Sequence, residues 1–167
     1  MTVEVFRKYL EIKSLGDLNE VLAPNNDYLL QLIDRKDFQL NKFFYKQIGK
    51  KYQWNDRLGW TDQNWINYTN NKNLLTYVLK DKENIVGYFE LIFHGDKKEA
   101  EIAYFGILEE YFGKKIGGFL LSEAIKRSFS LPAERVWVHT CSLDHKHALQ
   151  NYLSRGMKVF KSEVLKK

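Results

Sequence analysis

The segment Ala100–Leu121, AEIAYFGILEEYFGKKIGGFLL, decides the fold. Its residues up to Leu108 have the composition of a β-strand, and a loop with Gly113 follows. The spacing of apolar residues by three and four then predicts an amphipathic helix through Ile116, Phe119, Leu120, Ala124 and Ile125. The first backbone N–H groups of such a helix have no partner within it, and with the helix dipole they attract anions. The segment therefore predicts a strand, an anion-binding loop and a helix.

Glycines and lysines strengthen the prediction of an anion site in this loop. Gly113, Gly117 and Gly118 let a ligand approach the backbone closely, and Lys114 and Lys115 add positive charge. Short glycine runs also occur by chance in tight turns, so the loop alone does not establish a phosphate site.

Outward from this segment, short apolar-rich strands and helices follow one another. Upstream we predict strands at 6–12 and 27–33, helices at 38–48 and from Thr61 onward, and a three-strand meander at 74–80, 85–93 and 100–108. Downstream, Pro132 ends the helix before a strand at 135–141, a helix at 145–154 and a strand at 157–164. This order predicts an α+β fold. Its sheet is mixed and mostly antiparallel, flanked by helices, with a parallel pair of strands around the helix after Gly113.

The length of 167 residues is that of one domain, which we place at 1–167. Hydrophobic residues make up 44% and charged residues 28%, a composition that excludes a disordered chain. The net charge of +5 comes from lysines that are scattered among acids, so a nucleic-acid partner is not favoured. A phosphorylated small ligand suits this charge equally well.

Apolar runs are short, which excludes a membrane span, and the first residues do not resemble a signal peptide. Cys141 is the only cysteine, which excludes an internal disulfide and a multi-cysteine zinc site. We therefore expect a cytoplasmic protein without a membrane partner.

Two stretches resemble the GNAT superfamily, the acetyl-CoA-dependent N-acetyltransferases. The first is Tyr111–Leu121, which is similar to the family's Tyr-Arg-Gly-Lys-Gly-Ile-Gly-x-x-Leu-Leu run. Within it, residues 112–117 stand at the place of the pyrophosphate signature Gln/Arg-x-x-Gly-x-Gly/Ala. Gly117 matches that signature strictly, whereas Phe112 replaces Gln/Arg and Lys115 replaces the first glycine.

The second stretch is AxxxYxxxGM at residues 148–157, which resembles the family's Asn-x-x-Ala-x-x-x-Tyr-x-x-x-Gly-Phe. His145 stands where Asn is usual and Met157 where Phe is usual. The resemblance is strongest over residues 74–164, and an uncharacterised bacterial subgroup of the family is the most similar.

The resemblance implies that acetyl-CoA or coenzyme A is the cosubstrate. It assigns to the cofactor site Ile107, Leu108, Gly113, Lys114, Lys115, Ile116, Gly117, Gly118 and Ala148. We expect the backbone N–H near Leu108 to bind the thioester carbonyl, and a β-bulge between Phe105 and Leu108 to splay the strands around the pantetheine arm. Backbone N–H groups hold most of a pyrophosphate, so Phe112 and Lys115 are expected to weaken binding without abolishing it. A helical backbone conformation is expected to accommodate Lys115.

Acetylation of an amine needs a base, a polarised carbonyl and an acid for the leaving thiolate. The resemblance implies that Tyr152 is the acid and Glu101 the base. Glu90, His139 or water remain alternatives for the base, His139 because its ordinary pKa of about 6.5 suits that role. A core position is the structural alternative for Tyr152.

Together, these expectations imply direct transfer of acetyl from acetyl-CoA to a primary amine of a small molecule or peptide. The acceptor walls are expected at Tyr45, Trp54, Arg57 and Trp60. A non-catalytic acyl-CoA-binding or sensor domain and a basic nucleic-acid-associated module are the alternatives. The oligomeric state stays open, a homodimer included. No metal is expected, because His139, His145 and His147 fall on a strand, a loop and a helix start without an acidic partner.

Overall fold

A computed structural model describes residues 4–166 of the chain. The strands are β1 (Glu4–Ile12), β2 (Tyr28–Leu32), β3 (Leu74–Asp81), β4 (Asn84–His94), β5 (Glu99–Ile107), β6 (Arg135–Cys141) and β7 (Lys158–Lys166). The helices are α1 (Phe38–Gly49), α2 (Asp62–Thr69), α3 (Ile116–Ser130) and α4 (Ala148–Ser154). Each predicted element is present, with bounds that differ by a few residues.

The strands form one mixed sheet in the order β2-β3-β4-β5-β6-β1-β7. Neighbouring strands are antiparallel except β5 and β6, which run parallel and are joined through α3. This arrangement confirms the predicted α+β fold and the parallel pair around α3. It is also the arrangement expected when a helix crosses over between two parallel strands.

Side chains that alternate along the strands divide the apolar residues between the two faces of the sheet. Leu79, Phe89 and Val138 belong to the larger cluster, which packs against α3 and α4. Val78 directly precedes Leu79, and Tyr88 directly precedes Phe89. Val78 and Tyr88 belong to the cluster that packs against α1. We call these two sides the α3 face and the α1 face.

The first strand, β1, lies inside the sheet between β6 and β7, a position that the sequence pattern does not reveal. Arg7 lies opposite Cys141, and Tyr9 lies opposite His139. Leu10, opposite Val138, is completely buried in the α3-face cluster. Because cross-strand neighbours point to the same side, Arg7, Tyr9 and His139 all belong to the α1 face.

The parallel strands β5 and β6 separate soon after they meet. They pair only from Glu99 to Glu101 on β5, so the rest of the two strands leaves a gap in the sheet. The bulge of β5 lies at Ala103, where the register to β4 shifts, and not between Phe105 and Leu108 as expected. Since a bulge increases local twist, this earlier position coincides with the point where the strands begin to diverge.

The start of α2 follows the prediction from its sequence. The Thr61 side chain accepts a hydrogen bond from the Asn64 N–H, and the Asn64 side chain accepts one from the Thr61 N–H. This reciprocal capping satisfies two backbone donors that the helix leaves unpaired. It fixes the end of the loop between α1 and α2, which borders the gap.

Candidate active site

A cleft of about 850 Å³ occupies the gap between β5 and β6. On the α3 face, its walls come from Phe105, Ile107, the loop before α3, and Tyr152 of α4. On the α1 face, they come from Tyr104, His139, Arg7 and the α1–α2 loop. The cleft therefore connects the two faces of the sheet. We call its two parts the cofactor half and the acceptor half.

The cofactor half is built mainly from the backbone at the start of α3. Gly113, Lys115, Ile116, Gly117 and Gly118 line it, and no side chain caps the helix. The first backbone N–H groups of α3 have no hydrogen-bond partners within the helix. The positive end of the helix dipole lies at the same place, beside the cleft. At Gly113, which has φ +78°, there is open space where a side chain would begin. These features fit a bound pyrophosphate.

Lys115 adopts a left-handed backbone conformation, with φ 63° and ψ 22°, immediately before α3. The expectation of a helical conformation at this residue is wrong. This region of φ and ψ favours glycine, because a Cβ crowds the following carbonyl oxygen. The geometry gives a physical reason for the glycine that the family signature carries at the corresponding position.

Two other residues assigned to the cofactor site, Leu108 and Lys114, do not line the cleft. Leu108 is buried, and its N–H donates to the Val86 carbonyl oxygen at 2.8 Å, so this N–H is not available to a thioester. The ammonium of Lys114 lies 5.1 Å from the centre of the Tyr111 ring, and Lys114 does not line the cleft. Because alternate residues of a strand hydrogen-bond to opposite sides, the N–H groups of Phe105 and Ile107 are directed into the gap.

Tyr152 lines the cofactor half from α4, one turn after Ala148, which also lines it. Its ring packs edge-on against Phe105, with 6.4 Å between the ring centroids. Burial raises the pKa of the Tyr152 hydroxyl far above its usual value, and the charge of Asp144 adds to the effect. The phenol therefore stays protonated at neutral pH and retains a proton to donate.

His139 lies on β6 in the acceptor half, with its ring open to the cleft. The surrounding cleft walls lower the pKa of His139 by desolvation, and Arg7 lowers it further, while Glu101, Asp144 and Asp56 oppose this change. A lowered pKa leaves the imidazole neutral at pH 7, which is the form that accepts a proton.

Glu101 lies at the start of β5, where the sheet is still closed. Its carboxylate is 2.9 Å from His94 Nε2, and its side chain does not line the cleft. Glu101 lies near His139 on the α1 face. It is the last residue of β5 that pairs with β6, so it lies just before the gap opens.

Glu90 is completely buried in a charged network beneath the acceptor half. It accepts hydrogen bonds from Arg57 at 3.2 Å, Tyr68 at 2.6 Å and Asn41 at 2.8 Å. A carboxylate that is buried and paired in this way cannot serve as the base for an acceptor in the cleft.

Aromatic rings surround the guanidinium of Arg57 on several sides. Its central carbon lies 4.1 Å from the ring centre of Tyr68, 4.4 Å from Tyr104 and 4.9 Å from Trp60. The contacts hold the α1–α2 loop against the sheet. Of the four residues expected at the acceptor wall, Tyr45 and Arg57 are buried, Trp60 packs on the guanidinium, and only Trp54 lines the cleft.

Sequence patterns missed five charged residues of the cleft: Arg7, Asp56, Asp144, Lys146 and Arg155. Arg155 follows α4, and its guanidinium packs so closely on Gly118 that a Cβ at Gly118 would lie 2.2 Å from Nη1. Its Nε is buried without a hydrogen-bond partner. A signal for Arg155 was present, because it directly precedes Gly156 of the second family motif, whereas Arg7 stands alone in a strand.

The family model of the acetyltransferase (GNAT) family matches residues 35–157. The chain belongs to the GNAT acetyltransferase family. No match was found among curated proteins. Among residues 4–166, no helix is long and apolar enough to span a membrane, and no group of three or more His, Cys, Asp or Glu side chains could hold a metal.

Solved structures share the fold of this GNAT chain. A functionally unknown conserved protein from Staphylococcus epidermidis is 18% identical, with a TM-score of 0.67, over 98% of this chain and 61% of its own. A GCN5-related N-acetyltransferase from Kribbella flavida is 14% identical, with a TM-score of 0.68, over 99% and 58%. The chain thus spans about three fifths of the length of these two.

A third structure is an aminoglycoside acetyltransferase from an uncultured soil metagenomic sample, in complex with trehalose. It is 15% identical, with a TM-score of 0.65, over 80% of this chain and 90% of its own. At these identities the similarities establish the fold.

Proposed function

We propose that this GNAT protein transfers an acetyl group from acetyl-CoA to a primary amine by direct attack, with residues 1–167 acting as one domain. The observation that carries the proposal is the gap between β5 and β6. It joins the backbone donors before α3 to the neutral His139 on the opposite face of the sheet. Family membership supports the acetyl-CoA part.

The residues of the cofactor half fit a coenzyme A molecule. The N–H groups of Ile116, Gly117 and Gly118 suit the pyrophosphate, and the N–H groups of Phe105 and Ile107 suit the amides of the pantetheine arm. Arg155 and Lys115 add positive charge beside the phosphates. Acetyl-CoA supplies the activated acetyl group as a thioester.

His139 serves as the base in this proposal. It takes one proton from the acceptor's ammonium group, and the resulting amine forms the new N–C bond as the C–S bond breaks. Tyr152 donates its hydroxyl proton to the departing sulfur and recovers a proton from the acylated nitrogen. The products are the amide and the free thiol, and the proton that His139 took from the ammonium group leaves to solvent. Glu101 remains the alternative base, acting from behind His139.

Turnover of acetyl-CoA in the presence of a panel of primary amines tests the proposal. We expect thiol release that depends on the amine, with an acetylated product of the expected mass. Protein that binds coenzyme A in calorimetry but releases no thiol with any amine would instead identify an acyl-CoA-binding or sensor domain. Coenzyme A and pantetheine of equal affinity would contradict the pyrophosphate site before α3.

A further inference from the structure

Side chains of opposite charge line the acceptor half. Arg7 of β1 and Asp56 of the α1–α2 loop both line the cleft. Both act electrostatically on His139, in opposite directions. The proposed base thus has a guanidinium and a carboxylate near enough to affect its charge.

Asp56 is available to a ligand. The cleft lining in the described part of the chain contains two carboxylates, Asp56 and Asp144. Asp144 accepts hydrogen bonds from the Thr140 hydroxyl and the Cys141 N–H, so it holds the β6–α4 turn. Asp56 is exposed on its loop, close enough to His139 to influence its charge.

The Arg7 side chain is hydrogen-bonded to Tyr9 on its own strand and still has further N–H donors. Its Nη1 lies 3.7 Å from Glu163 Oε1, which is beyond hydrogen-bond distance, and the Tyr9 hydroxyl donates to that same oxygen at 2.7 Å. Its Nε is buried without a partner. A guanidinium carries five N–H donors in a planar fork that matches a carboxylate, so a ligand carboxylate is the group that Arg7 suits best.

We propose that the acceptor is an amino-acid-type molecule, whose carboxylate binds Arg7 while its ammonium group lies between Asp56 and His139. This inference rests on the proposed function and names its substrate class. Trp54 and Tyr104 form apolar parts of the same wall, which suits an apolar or aromatic side chain on the acceptor. The carboxylate serves only as a handle, since the bond changes occur at the amine.

Matched pairs of acceptors test the role of Arg7. Phenylalanine is compared with phenethylamine, and leucine with 3-methylbutylamine, because the members of each pair differ only in the carboxylate. We expect kcat/KM for the amino acid to exceed that of the amine by at least about tenfold, as a charge-assisted hydrogen bond provides. Arg7→Met should reduce the ratio of kcat/KM between amino acid and amine to about one. Because both members of a pair are measured at the same pH, the effect of Arg7 on His139 cancels in this ratio.

Asp56→Asn and Glu163→Gln complete the design. Asp56→Asn should lower kcat/KM by about tenfold for both members of each pair, because both carry the ammonium group. Glu163→Gln, the matched control beside Arg7, should leave the preference for the carboxylate intact. Arg7→Lys, which retains the charge without the fork, should give an intermediate preference.

The outcomes separate this inference from the proposed function. Equal turnover of amino acids and amines by the wild type would overturn the inference and leave the acetyltransferase proposal standing. Failure to acetylate any amine would overturn the proposed function. Calorimetry of N-acetylphenylalanine with coenzyme A-saturated protein then still tests Arg7. Arg7→Met should raise the dissociation constant of N-acetylphenylalanine by about tenfold. An unchanged affinity, in a variant whose melting temperature matches the wild type, would overturn the inference.

Discussion

The two halves of the cleft are built in different ways. The cofactor half uses consecutive backbone groups at residues 113–118, placed by a single strand–loop–helix connection. The acceptor half uses side chains from β1, β6 and the α1–α2 loop, which lie far apart along the chain. Backbone donors remain when a side chain changes, so we expect the loop to keep its donors although Phe112 and Lys115 replace the usual signature residues. Each replaced side chain in the acceptor half, in contrast, changes the chemistry of the site.

The largest expected effect comes from removing the anchor beneath the acceptor half. Arg57→Ala leaves Glu90 charged and buried without its cation, which typically costs about 3–5 kcal/mol of unfolding free energy. Urea denaturation monitored by tryptophan fluorescence measures this loss. In folded protein, the acceptor KM should rise more than the coenzyme A dissociation constant.

A double variant sharpens this first prediction. Arg57→Met combined with Glu90→Leu removes both charges, so it should cost less stability than Arg57→Ala alone. If the double variant is the less stable of the two, the contacts of Arg57 with the aromatic rings matter more than its charge pairing.

Tyr152→Phe tests the cofactor half through chemistry rather than stability. Removing the hydroxyl while retaining the ring should lower kcat by about 10²–10⁴-fold, the usual contribution of a general acid. Coenzyme A affinity and the melting temperature should stay near those of the wild type. An unchanged kcat would exclude Tyr152 as the acid if a series of thioesters with different thiol pKa values shows that C–S cleavage limits the rate.

The pH dependence of kcat/KM addresses His139 in the acceptor half. Because the pKa of His139 is lowered, the activity should persist below pH 6.5 and fall only when acidification protonates the ring. Arg7→Met removes a positive neighbour, so it should move this acidic limb to higher pH. Asp56→Asn removes a negative neighbour and should move the limb to lower pH. A limb that neither variant moves would point to Glu101 or water as the base.

The smallest expected effect concerns Lys115. Lys115→Gly relieves about 1–2 kcal/mol of left-handed strain, against about 0.5–1 kcal/mol of extra chain entropy that a glycine loses on folding. The variant should therefore be more stable by up to about 1.5 kcal/mol in thermal denaturation. Lys115→Ala, the matched control, also loses the ammonium group but keeps the strained conformation. If the glycine variant is instead less stable than the alanine variant by about 0.5–1 kcal/mol, the strain is absent.

The sequence predicts what local interactions determine. Apolar spacing marks α3, and the composition of residues 61–64 marks the start of α2. The helical conformation expected of Lys115 is wrong because Lys115 lies one residue before α3 begins, where the backbone turns left-handed. Arg7 could not be predicted as a cleft residue, because its partners in space, on β6 and β7, come from the other end of the chain. No local pattern reports that pairing.

The position of β1 has a consequence for how the chain folds as it is synthesised. The Phe6 N–H donates to Ser142 Oγ, which lies 136 residues later in the chain. At about 5–20 residues per second, a ribosome delivers that partner many seconds after it has made β1. The strands β3, β4 and β5 can pair with one another during this interval, whereas β1 cannot pair with β6 until β6 has been synthesised. The acceptor half of the cleft, with Arg7 on its wall, is therefore completed among the last parts of the protein, and it depends on the slowest kind of contact to form.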